Sequence, residues 1–160
     1  MRNNTPSAAS SAVGCQSVTL PSGLRVICRT MPGYSSVHGF YATDFGSVHR
    51  QFTLDGRTVT LPAGTAHFME HKMCETAAGD TFALYAKTGA SANAFTGYDR
   101  TCYVFSATEK IDENLDILLG QVGKPWFTKA SIAKEQGIIA QEIKMYDDSP
   151  DWRLLNALFR

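Results

Sequence analysis

The sequence predicts an α+β domain with helices packed on one face of a mainly antiparallel sheet. Three observations carry this expectation. Short alternating stretches of apolar and polar residues fill the first part of the chain and return between residues 91 and 107, short turn signals join neighbouring strands, and apolar residues at helical spacing dominate from residue 111 onward.

The elements follow in order. Residues 1–16 are small and polar and lack the continuous apolar run of a signal peptide, so they are expected to form a flexible tail, with the domain over 17–160. "SVTLPSGLRVICRTM" predicts two short strands around the turn Pro21-Ser22-Gly23. "SSVHGFYATDFGS" predicts another strand ending at Asp44 to Gly46, and the following stretch carries an Asp55-Gly56 turn and a breaker at Pro62 to Gly64. A helix should start there with Thr65 as its N-cap. A short helix over Thr81 to Thr88 closes at Gly89, and "ASANAFT" and "TCYVFSA" form a hairpin about Gly97 to Arg100. Ile111, Leu115, Leu118, Leu119 and Val122 mark a helix stopped by Pro125, Thr128 caps a long helix to about Tyr146, and "DWRLLNALFR" begins another.

Composition narrows the partners. With 15 basic and 15 acidic residues and a pI near 6.9, the chain has no net field to attract nucleic acid or an anionic membrane, and neither is expected. At 160 residues it has the length of one domain. No window reaches the apolar length of a membrane-spanning helix. Cys15, Cys28, Cys74 and Cys102 form no CxxC pair, which argues against a disulfide framework or a structural zinc knuckle, and the cytoplasm is the expected compartment.

The stretch "GTAHFMEHKMCE" holds the chemistry. On a helix, His67, Glu70 and His71 share an arc of roughly 100°. Two imidazoles at i and i+4 can bind one zinc ion, with the carboxylate beside them placed to take a proton from water that zinc acidifies. The order HxxEH inverts the common HExxH arrangement, and this composition yields about 0.004 chance occurrences in such a chain. The bland alternative is a solvated helix face carrying a His-Glu pair.

A catalytic zinc usually takes three protein ligands. His38 and His49 lie in strand and loop regions without a partner pattern and read as ordinary histidines. In "SIAKEQGIIAQEIKMYDD", Glu135, Ile138, Glu142 and Met145 fall on one helix stripe, and carboxylates on a partly apolar stripe need a partner that a metal would supply. Gly137, inside that helix, is either merely tolerated or marks close approach of another element.

Four blocks, "LPSGLRV", "GTAHFMEH", "GASANAFTGYDRTCYVFSA" and "EQGIIAQEIKMYDDSPDWR", together resemble the pitrilysin or insulinase family of inverted zinc metallopeptidases, which includes insulin-degrading enzyme and the mitochondrial processing peptidase. The bacterial insulinase-like group, with HKM after the glutamate and a MYDD-P-W ending, is the most similar. The resemblance implies zinc as cofactor, a fold like the processing-peptidase half-domain, His67, His71 and Glu142 as metal ligands, and Glu70 as general base. It also implies that Glu135 steadies ligands or water, and that Asn93 contacts the main chain of a peptide added to an edge strand. The alternative for Asn93 is a turn residue. Cys74 stands where relatives often carry a bulky side chain. It reads either as a small core residue or as a thiol that sensitises the site to oxidation.

The expected function is therefore zinc-dependent endopeptidase hydrolysis of peptides or small unfolded proteins. Relatives enclose substrate between two similar halves, and this chain ends soon after Glu142, so a truncated first half is expected. The alternative is a non-catalytic or truncated zinc-binding subunit that pairs with a paralogous chain.

Overall fold

The computed structural model describes residues 14–158. Of the expected tail, residues 1–13 lie outside the described residues, whereas Cys15 and Gln16 belong to the first strand.

The chain divides into two units. In residues 1–35, β1 (Cys15–Thr19) and β2 (Arg25–Arg29) form an antiparallel hairpin whose pairing runs from Cys15 opposite Arg29 to Thr19 opposite Arg25. The Pro21-Ser22-Gly23 turn closes it as expected, with Gly23 N–H donating to the Leu20 carbonyl at 2.9 Å.

Residues 36–160 contain the rest: β3 (Val37–Thr43), β4 (Gln51–Leu54), β5 (Arg57–Thr60), α1 (Thr65–Met73), β6 (Glu75–Thr76), β7 (Gly79–Asp80), α2 (Thr81–Thr88), β8 (Ser91–Thr96), β9 (Thr101–Ala107), α3 (Ile111–Gly123), α4 (Lys129–Asp147) and α5 (Pro150–Leu158). Every strand pair is antiparallel. The fold is α+β, as the alternation and helical periodicity predict.

The central sheet has the order β3-β9-β8. Its register stacks side chains in rows across one face: Gly39, Phe105 and Ala92; Tyr41, Tyr103 and Ala94; Thr43, Thr101 and Thr96. On this face Tyr103, Phe105 and Ala107 bury themselves against Tyr85 of α2 and Leu118 of α3, and the Tyr85 and Phe105 rings stack with centroids 5.8 Å apart. Small neighbours make room for the large ring. A methyl group at Gly39 would overlap the Phe105 ring. The opposite face carries exposed Phe40 and Phe95.

Local signals set the helix boundaries, with one correction. Thr65 is not the cap of α1 but its first residue. The cap is Gly64 at φ 83°, because the chain enters the helix through a left-handed turn that glycine adopts without strain. Thr65 instead donates its hydroxyl to the Pro62 carbonyl at 2.8 Å. Asp80 caps α2 by accepting from Phe82 N–H at 2.9 Å, and Gly89 ends it in the left-handed region. Thr128 caps α4 as expected, reciprocally with Ser131.

The inward stripe of α4 also differs from expectation. Ile132, Glu135, Ile139 and Glu142 are half-buried, while Ile138 and Met145 are exposed. At 100° per residue Ile138 and Ile139 lie about equally far, on opposite sides, from the midline of the two glutamates, so periodicity does not choose between them and the packing of α4 turns Ile139 inward. Gly137 has open space around it, and its presence is the tolerated alternative.

Candidate functional site

Helix α1 packs against β8 and α4, and this three-way junction assembles the side chains singled out in the sequence. His67 and His71 stand one turn apart with their rings nearly perpendicular and centroids 4.6 Å apart. Their Nε2 atoms approach to 3.1 Å. Glu142 comes from α4, its Oε2 lying 3.8 Å from His67 Nε2 and 3.6 Å from His71 Nε2. Among the described residues these three form the one cluster able to hold a metal ion.

The donor set fits zinc. A triangle with sides of 3.1, 3.8 and 3.6 Å has its centre about 2.0 Å from each corner, which is the usual zinc–nitrogen and zinc–oxygen bond length. The tautomer also fits. Glu135 Oε1 lies 2.8 Å from His71 Nδ1, and a carboxylate there can only accept, so Nδ1 carries the proton and the Nε2 lone pair faces Glu142 and His67. Two imidazole nitrogens and a carboxylate oxygen crowded around one point are what a divalent cation would stabilise.

Glu70, on the same helix face, is only 8 % exposed. Its Oε2 accepts from the Thr96 hydroxyl at 2.9 Å. Glu70, His71, Cys74, Asn93, Lys134 and Glu135 all line one cleft of about 480 Å³. Asn93 lies in the middle of β8, which is an edge strand among the described residues, and not in a turn. Its Oδ1 accepts from Ala94 N–H at 2.9 Å.

Cys74 sits where both of its readings meet, packed against the core and lining the cleft. Its thiol donates to the Glu70 carbonyl at 3.4 Å and accepts from the Gln121 amide at 3.4 Å. Burial, reinforced by the charges of Glu70 and Asp80, pushes the thiol up to about 12. His38 is exposed on β3, and His49 Nδ1 accepts from Gly46 N–H at 3.0 Å, so neither joins the cluster.

Two residues escaped the sequence reading. Thr96 contacts Glu70 across 26 residues, and only the alternation of β8, which turns Thr96 to the helix side with Ala92 and Ala94, hinted at it. Lys72 looks like a surface residue, yet it is 1 % exposed and ion-paired with Glu75. The ammonium beside it, more than any other neighbour, holds the Glu75 carboxyl below its ordinary value.

Comparison with known proteins places this arrangement. Residues 61–160 match the family model "Insulinase (Peptidase family M16)". The chain belongs to peptidase family M16. One relative, the uncharacterized zinc protease YmfH of Bacillus subtilis (strain 168), is 45% identical over 137 residues, covering 84% of this chain and 32% of its own length. Among solved structures, a putative M16-like peptidase from Alicyclobacillus acidocaldarius superposes with a TM-score of 0.84 at 39% identity, over 92% of this chain and 35% of that one. Pitrilysin shares the fold, with a TM-score of 0.65 at 19% identity over 88% of this chain and 16% of its own. The chain thus spans about a third of the length of the first two proteins.

Proposed function

We propose that this chain is the zinc-binding part of an M16 metalloendopeptidase that hydrolyses peptides or small unfolded proteins. The observation that carries the reading is the convergence of His67 Nε2, His71 Nε2 and Glu142 Oε2 on one point, with the Glu70 carboxylate on the same helix face.

His67, His71 and Glu142 hold the zinc. Glu135 fixes the His71 ring through Nδ1–H. When bound, zinc supplies a Lewis acid that polarises the scissile carbonyl and acidifies water. Glu70 takes the proton from the attacking water as the new carbon–oxygen bond forms, then delivers it to the amine nitrogen as the carbon–nitrogen bond breaks. The low exposure of Glu70 keeps bulk water from competing for that proton. The peptide extends the sheet at the β8 edge, where Asn93 contacts its main chain. A second half-domain or a paralogous subunit is the partner that encloses the substrate, since the relative YmfH is about three times as long. The compartment we assign is the cytoplasm.

The test is zinc content and hydrolysis of an unfolded-protein substrate by the purified chain, beside the double change His67→Ala and His71→Ala and the single change Glu70→Gln. About one zinc per chain, lost in the double variant, is expected. Glu70→Gln should keep the zinc and lose turnover by about 10²-fold or more. A folded chain without zinc, or a Glu70→Gln variant as active as its parent, refutes the reading.

A further inference from the structure

We propose that Thr96 is a positioning residue for Glu70: its hydroxyl holds one carboxylate oxygen and leaves the other for the water from which the proton is taken. The inference rests on the metallopeptidase reading of the site. A general base must stay within hydrogen-bond reach of its proton, about 2.6–3.2 Å, and a glutamate has three side-chain torsions through which to drift. The opposing strand supplies the restraint. Thr96 Oγ1 lies 2.9 Å from Glu70 Oε2, joining residues 26 positions apart and tying α1 to β8.

The proton count fixes the direction of this contact. The Thr96 hydroxyl has one proton and two candidate acceptors, Glu70 Oε2 at 2.9 Å and Thr101 Oγ1 at 3.4 Å. The nearer acceptor also carries the negative charge, so it takes the proton. Thr101 does not compete as a donor, because its own hydroxyl is given to the Phe45 carbonyl at 2.8 Å. The anchor is stiff as well. Thr96 and Thr101 are paired across the strands in the row that ends at Thr43. A β-branched side chain in a strand has restricted freedom at its first torsion. Glu70, at 8 % exposure, has given up most of its water, and Thr96 is the donor that replaces part of it.

Thr96→Val keeps shape and strand preference while removing the donor, and Thr96→Ser returns a donor without the branching methyl. Three readouts separate positioning from mere support. In the zinc-loaded chain, Thr96→Val should lower kcat about tenfold with KM unchanged, zinc content should stay at the parental level, and Thr96→Ser should recover most of the lost kcat. The contact itself is read without zinc or substrate by a double-mutant cycle in thermal unfolding. Thr96→Val should lower the Tm of the parent by about 5 °C and that of Glu70→Ala by distinctly less. Equal Tm losses in both backgrounds overturn the proposal, as does an active, zinc-replete Thr96→Val with parental kcat. A parent that binds no zinc and turns over no substrate overturns the metallopeptidase reading instead, and the cycle then decides the Thr96 contact alone.

Discussion

Removing the carboxylate at Glu135 should weaken zinc binding without abolishing it. The contact from Glu135 Oε1 to His71 Nδ1 is 2.8 Å, within the range of charge-assisted hydrogen bonds. The two side chains are 13% and 24% exposed, so water screens the pair only in part. Without its acceptor, the imidazole loses the bias toward an Nδ1 proton and with it some of the basicity of Nε2. Changes of this kind cost about 10- to 100-fold in metal affinity, which is about 1.4–2.7 kcal/mol. Glu135→Gln keeps a carbonyl acceptor and loses the charge, so it belongs at the lower end, and Glu135→Leu, losing both, at the upper end. The assay is competition for zinc against a chromophoric chelator at neutral pH, with circular dichroism confirming the fold. Glu142→Ala gives the comparison in which a ligand itself is gone. Parental affinity in Glu135→Leu would refute the reasoning. So would loss in Glu135→Gln as deep as in Glu142→Ala, because Glu135 would then be acting as the ligand.

Two further expectations follow from buried groups. Glu75→Ala leaves the Lys72 ammonium buried without its counter-charge and should destabilise the fold by about 3 kcal/mol; the double change Lys72→Met and Glu75→Ala should recover most of it, and denaturant midpoints for the three variants check this. Because its thiol is pushed up to about 12 from an ordinary 9.0, Cys74 should alkylate far more slowly than exposed Cys28 at pH 8, read by mass spectrometry. The linkage sign follows from the same shift. Between pH 9 and 12 the folded chain holds a proton that the unfolded chain has lost, so this contribution to stability is complete below 9 and fades as the pH rises through that window.

Much of the fold was legible because its signals are local. Alternation in "ASANAFT" and "TCYVFSA", the Thr128 cap and the Gly89 stop each act within a few residues, and each element formed where they said. Glu135 and Glu142 were legible as a pair because seven residues bring a helix back to nearly the same face. Ile139 was not distinguishable from Ile138, since at 100° per residue the two flank the midline of the glutamates at about equal angles and periodicity alone cannot say which turns inward. Gly64 rather than Thr65 is the cap because the chain enters the helix in the left-handed region, which glycine adopts without strain. The Thr65 hydroxyl bonds backward to the Pro62 carbonyl, and a capping-type residue carries the same letter in either role. Lys72 and Thr96 stayed hidden for a different reason. Their partners are set by how α1 settles on its neighbours, and a polar residue inside carries the same letter as one outside.

The inward stripe of α4 has only two isoleucines, and its other two places are the glutamates aimed at the histidines of α1. A helix attached by so little apolar surface is a weak lodger on its own. An ion gripping both α1 and Glu142 would therefore act as a cross-link closing the 71-residue span from His71 to Glu142, lowering the freedom of the intervening chain much as a covalent bridge does. Stripped of the ion, α4 becomes the first segment expected to lift away, exposing Ile132 and Ile139 and opening its amides to exchange with solvent. On the proposed function, the same atoms that would carry the chemistry would also decide how tightly this part of the molecule is shut, and metal supply would become a control on its lifetime in the presence of proteases.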